Sequence, residues 1–162
     1  MNNREFCLDE AISVIEEVLA SGGEFRLYPK GISMKPLIIQ GRDSVVLKGT
    51  SDVVLEKYDM AFYRRESGQF VLHRVMQKEA DGRYTMCGDN QLYLEKGIRQ
   101  DQIISRVECL YRKDRAVNFD GFKYRAYLKL WCCMPVRRFL MLPSRAVKKL
   151  GRILSKFRKS VD

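Results

Sequence analysis

Residues 60–86 read MAFYRRESGQFVLHRVMQKEADGRYTM, and their reading decides the fold. Three runs rich in aromatic and aliphatic residues, Met60 to Tyr63, Gln69 to Met76 and Arg83 to Met86, are separated by Glu66-Ser67-Gly68 and by Asp81-Gly82. An Asp-Gly pair supplies the left-handed backbone that a tight hairpin needs, so the spacing predicts consecutive antiparallel strands. Along a strand successive side chains point to opposite faces. If Leu72 and Arg74 face one side, His73 shares its face with Val71 and Val75, on an apolar surface.

Working outward, the period of two persists. Phe25 and Leu27 suggest a short strand that breaks at Pro29-Lys30-Gly31, and Ser44 to Leu47 suggests another. Beyond the break at Gly88-Asp89-Asn90, Ile103 to Tyr111 and Ala116 to Phe119 read as strands, with Asp120-Gly121 as the last turn. Short strands punctuated about every 8–12 residues predict a mainly β (α+β) fold, a twisted antiparallel sheet or partly closed barrel. Before it, residues 4–20 carry Leu8, Ala11, Ile12, Ile15, Val18 and Leu19 at helical spacing and predict an amphipathic helix ended by Ser21-Gly22-Gly23. The expected organisation is an N-terminal helix over 1–23, a β domain over 24–121 and a basic helical tail over 122–162.

Charge supports that last boundary. Residues 1–121 hold 18 Lys+Arg against 19 Asp+Glu, whereas residues 122–162 hold 12 Lys+Arg against Asp162 alone. The basicity therefore belongs to an appended element and not to the fold. In the tail, Pro135 and Pro143 interrupt helix-compatible sequence. Ala146, Leu150, Ile153, Leu154, Phe157 and Val161 then form one stripe, opposed by Lys148, Lys149, Arg152, Lys156, Arg158 and Lys159. A basic helix with an apolar face fits the interface of an anionic membrane, which makes residues 144–162 the expected contact. Docking on protein is the next reading, and non-specific nucleic-acid binding the last.

Five cysteines, an odd number with no C-x-x-C pair, and a single histidine argue against a zinc site and for reduced thiols in a cytosol-facing protein. The first 20 residues are too acidic for a secretory signal, and no run of 18 apolar residues occurs. A cytoplasmic or peripherally membrane-associated protein is expected, and no cofactor is called for. Whether Cys132-Cys133 is modified or packed stays open.

Chemistry concentrates in two places. Gly31-Ile32-Ser33-Met34-Lys35-Pro36 presents a hydroxyl in a turn, where Gly31 permits close backbone approach and Pro36 fixes the exit. A serine needs a neighbouring base to become nucleophilic. His73, the only histidine, titrates near neutrality and suits that role. A third group should orient the imidazole; Asp89 and Glu95 are the candidates.

Taken in order, these segments resemble the signal peptidase I-like serine peptidases, the clan that also holds the self-cleaving repressors. Ser33-Met34-Lys35-Pro36 is similar to the nucleophile box, and Gly41-Arg42-Asp43-Ser44-Val45-Val46 loosely to a following Gly-Asp box, with Arg42 inserted. Tyr58-Asp59-Met60-Ala61-Phe62 resembles a second such box, with Tyr58 in place of glycine. Val71 to Val75 is similar to the base-bearing strand, and Gly88-Asp89-Asn90 to the last box. Histidine in place of lysine resembles the Ser/His branch.

The resemblance covers about residues 25–110. It implies a signal-peptidase-like fold and a serine endopeptidase cutting a leader or signal-bearing peptide. Ser33 would be nucleophile, His73 general base, Asp89 or Glu95 the acid, and Gly31, Met34 and Pro36 would border the substrate. Against the family's pattern, an acidic amphipathic helix is expected where the family has a membrane helix, the spacing of Ser33 and His73 is too short for the large inserted domain, and the basic tail is additional. Two other readings are a non-catalytic peptide- or membrane-docking module on the same fold, and a repressor-like regulator. The latter is disfavoured because no helix-turn-helix pattern precedes Ser33.

Overall fold

The computed structural model describes residues 8–49 and 54–141. By internal contacts the chain divides into two units, Met1–Phe119 and Asp120–Asp162.

The hairpins expected over residues 60–86 form the middle of the first unit. Strand β3 (Met60–Arg64) pairs antiparallel with β4 (Phe70–Lys78), with Ala61 opposite His73 and Tyr63 opposite Val71. Strand β5 (Tyr84–Cys87) pairs with β4 from Arg74 to Lys78 only. The alternation predicted for β4 holds: Val71 and Val75 join Ala61, Tyr63, Tyr84, Met86, Leu55 and Ile98 in one buried cluster. Arg74 lies on the other face, opposite Met60 and Cys87.

The remaining strands are β1 (Glu24–Leu27), β2 (Asp43–Lys48), β6 (Glu95–Ile98), β7 (Ile103–Arg112) and β8 (Arg115–Ala116). Their order is β1-β2-β7-β3-β4-β5-β6, all pairs antiparallel, with β8 beside β7. The sheet is open, with β1 and β6 as its edges, so the expected partial barrel is not closed by strand pairing. Both edge strands are four residues long, and Gly97 puts a left-handed residue (φ 78°) inside β6, which limits further pairing. Side chains bridge the gap instead. Glu95 of β6 meets Arg65 at the end of β3, Arg99 pairs with Glu66 at 2.7 Å, and Gln102 Nε2 donates to the Arg64 carbonyl at 2.9 Å. The sheet thus curls until β6 faces back towards β3.

Helix α1 (Leu8–Ala20) realises most of the predicted span, burying Ile12, Ile15 and Leu19 and packing beside β1; residues 4–7 lie outside the described residues. It shares a unit with the sheet. The strand expected over Ala116 to Phe119 shrinks to β8, which starts after the positive-φ turn at Lys113 and Asp114 and stops before the chain turns again at Phe119 and Asp120. Strand β6 was not anticipated.

In the second unit, α2 (Phe122–Leu130) is followed by a turn and by helical residues 134–141. Arg137 is buried and donates from Nε to the Trp131 carbonyl at 2.8 Å. Phe122, Leu130, Phe139 and Leu140 are exposed. The basic helix expected over 144–162 lies outside the described residues. No helix among the described residues is long and apolar enough to cross a membrane.

Candidate active site

Ser33 and His73 line the same cleft, of about 210 Å³, with Pro29, Lys30, Gly31 and Met34 on one side and Phe70 to Leu72 on the other. Ser33 reaches it from the loop between β1 and β2. That loop has no regular structure, so its shape must come from hydrogen bonds to its surroundings. Gly31, at φ 96°, donates its N–H to Gln40 Oε1 at 2.7 Å, closing the loop on itself. Met34, Leu37 and Ile38 are buried and anchor it. Behind it, Asp43 accepts from the Ile39 N–H at 2.8 Å and from both Arg42 Nε and Nη2 at 2.7 Å. Burial opposes ionisation of Asp43, but the bonds from Arg42 and Ile39 outweigh it and hold its carboxyl below the usual range.

The Gly88-Asp89-Asn90 box docks directly onto the nucleophile candidate. Asn90 donates its backbone N–H to the Ser33 carbonyl at 2.7 Å and its side-chain amide to the Ile32 carbonyl at 3.1 Å. Gly88 has to be glycine for this: a Cβ there would lie 2.7 Å from the Ser33 carbonyl oxygen and 3.0 Å from Gln91 Cδ.

Asp89 itself is fully buried and paired with Arg74, Nε to Oδ1 at 2.8 Å and Nη2 to Oδ2 at 2.7 Å. Arg74 also donates to the Tyr58 carbonyl at 2.7 Å, across the turn that enters β3. Tyr58 holds φ 79°, the left-handed conformation that a glycine adopts without strain. Asp89 therefore ties β4 to the loop carrying Asn90, a bracing role in place of the direct imidazole contact expected of an orienting acid.

The group on the His73 ring is Tyr63, which sequence reasoning passed over. Tyr63 Oη lies 3.2 Å from His73 Nδ1 and donates to Glu95 Oε2 at 2.9 Å. Glu95 Oε2 is itself 3.9 Å from Nδ1. Arg65 completes the line, its Nε donating to Glu95 Oε1 at 2.7 Å and its Nη1 to Gln69 Oε1 at 2.6 Å. Of the two candidate acids, Glu95 is the one brought to the histidine, through a tyrosine. Tyr63 sits opposite Val71 in the β3–β4 register, on the His73 face, so the register of the hairpin was the signal that could have found it.

Burial is the largest influence on all three groups. It pushes the His73 ring down to about 4, with Arg65 acting the same way and the Glu95 and Asp89 carboxylates opposing. It raises the Tyr63 phenol far above its ordinary value, helped by the Glu95 charge. For Glu95 burial favours the neutral acid, but hydrogen bonds from Arg65 and Tyr63 prevail and keep it below the ordinary range. At neutral pH the site is thus a neutral imidazole, a protonated phenol and an ionised carboxylate.

Of the expected substrate-bordering residues, Gly31 and Met34 line the cleft, whereas Pro36 is exposed and is not among the lining residues. Among the described strands, Phe70 to His73 pair only with β3, because β5 meets β4 from Arg74 onward. Their other edge borders the cleft. No group of acidic, histidine and cysteine side chains suited to a metal ion occurs among the described residues. Comparison of the chain with protein-family models, curated proteins and solved structures gives no match.

Proposed function

We propose that the chain is a serine endopeptidase of the signal peptidase I-like type, acting on an extended leader or signal-bearing segment. The observation that carries this reading is the shared cleft: a turn-borne serine and the only histidine, with the histidine's Nδ1 side occupied by Tyr63 and Glu95. In this reaction the Ser33 Oγ–H proton passes to His73 Nε2 as Oγ bonds to the scissile carbonyl carbon. The developing oxyanion is received by backbone N–H groups of the Ser33 turn. Collapse breaks the C–N bond, and the imidazolium returns its proton to the leaving amine. Water, deprotonated by His73 in turn, then frees the acyl group from Ser33. The ionised Glu95 favours the transient imidazolium through the intervening phenol.

The free edge at Phe70 to His73 supports strand addition as the binding mode, with main-chain hydrogen bonds supplying affinity along the cleft. The second unit supports a site of action near an anionic membrane surface, where exposed Phe122, Leu130, Phe139 and Leu140 stand among basic residues without an acid between 121 and 161.

Labelling with a fluorophosphonate probe tests the nucleophile without knowledge of the substrate. Modification is expected at Ser33 and lost in Ser33→Ala, with peptide cleavage falling about 1,000-fold or more. Stability of Ser33→Ala should stay within about 0.5 kcal/mol of the parent. Cleavage that survives the substitution would sink the assignment.

A further inference from the structure

We infer that Tyr63 is a positioning residue: its hydroxyl, set between the His73 ring and the Glu95 carboxylate, holds the histidine as its Nδ1–H tautomer and leaves Nε2 as the proton acceptor. The inference follows from counting protons along the line. Glu95 is clasped by Arg65 and, ionised, can only accept hydrogen bonds. The phenol has one proton to give, and the 2.9 Å contact with Glu95 Oε2 takes it. If the phenol instead donated to the ring, its oxygen and the Glu95 oxygen would face each other at that distance in a partly buried place with no phenol proton between them, leaving the Arg65 guanidinium alone to offset their repulsion. The 3.2 Å contact between Nδ1 and Oη must then be made by a ring N–H donating to the phenol oxygen. A neutral imidazole carries one N–H, so Nε2 keeps its lone pair.

A free histidine side chain prefers the opposite tautomer, with its proton on Nε2. The site therefore imposes a choice, and it does so through a residue with no exposure of its own. Tyr63 belongs to the core by its ring and to the site by its hydroxyl, so a single side chain couples the buried cluster to the base. Interposing a phenol also keeps the carboxylate one group further from the ring than in a directly paired triad.

That the tautomer serves peptide cleavage rests on the proposed function; the tautomer itself does not. Because His73 is the only histidine, ring-nitrogen NMR of uniformly labelled full-length protein reads one imidazole without assignment. At neutral pH the proton is expected on Nδ1. Tyr63→Phe keeps the ring in the core and removes the acceptor, so the proton should move wholly or partly to Nε2. In the same variant kcat for peptide cleavage should fall about 10- to 100-fold with KM little changed. A wild-type ring protonated on Nε2 overturns the inference, and that measurement requires no variant to fold. An unchanged tautomer in folded Tyr63→Phe overturns it as well. Should the tautomer shift as expected while the wild type cleaves no peptide, Tyr63 positions His73 and the peptidase reading is what fails.

Discussion

At the scale of single residues, the site depends on a histidine that is 2 % exposed and kept neutral. Tyr63 touches the ring, while burial, aided by the Arg65 charge, outweighs the Glu95 and Asp89 carboxylates in taking its pKa from 6.5 to about 4. Between those values the unfolded chain binds a proton that the native ring refuses. Stability is therefore full above about 6.5 and falls as pH drops towards 4, by on the order of 3 kcal/mol if the whole shift is realised. Denaturant melts across this window should show that slope in the parent and a shallower one in His73→Asn, where carboxylates such as Asp43 and Glu95 still titrate but no histidine does. Parallel slopes in the two proteins would refute a buried neutral ring. For the proposed peptidase, the same shift is expected to set the acidic limb of kcat/KM near 4 and not near 6.5, as a pH–rate profile would show. Ser33 and His73 were legible as residue types. Tyr63 and Arg65 were not, because their roles arise from hairpin register and from the curl of the sheet.

At the scale of elements, the Gly88-Asp89-Asn90 turn supports the loop that carries Ser33. The last box was read as the source of an acid, yet its backbone does more for the serine than its carboxylate does for the histidine. Gly88 and Asn90 press on the Ser33 carbonyl, while Asp89 is spent on Arg74. Gly88→Ala should push the Ser33 loop away from this support. The expected cost is about 1–3 kcal/mol in a denaturant melt. Activity should drop by more than the lost folded fraction explains, because the serine itself moves. A variant with the parent's kcat/KM would show that the loop is held elsewhere. Strands β1 to β5 and β7 were visible because each keeps a period of two or a strong turn beside it. Strand β6, Glu95–Ile98, escaped because its four residues include a left-handed Gly97 and two charged side chains. Its position, which brings Glu95 to β3, is fixed by tertiary curl and leaves no mark on local pattern.

For the whole molecule, the separation of charge is as informative as the cleft. The first 121 residues are nearly neutral, so the sheet has no electrostatic reason to seek an anionic surface, whereas the last 41 carry almost no acid. Seven of the twelve basic residues after position 121 fall within 144–162, beside Leu150, Ile153, Leu154 and Phe157. Each basic residue near an anionic leaflet contributes about 1 kcal/mol, and the contribution decays with salt. The chain should therefore sediment with vesicles containing phosphatidylserine, less so as salt rises, and weakly with neutral phosphatidylcholine vesicles. Removing residues 144–162 takes away most of that charge and its apolar stripe while leaving Ser33, His73, Tyr63 and Glu95 intact. The truncated protein is expected to stay in the supernatant yet to retain labelling of Ser33, which separates attachment from chemistry. Equal sedimentation of both forms would refute the tail as the contact and turn attention to Phe122, Leu130, Phe139 and Leu140. Their exposure in the second unit offers an apolar surface that does not depend on the removed segment.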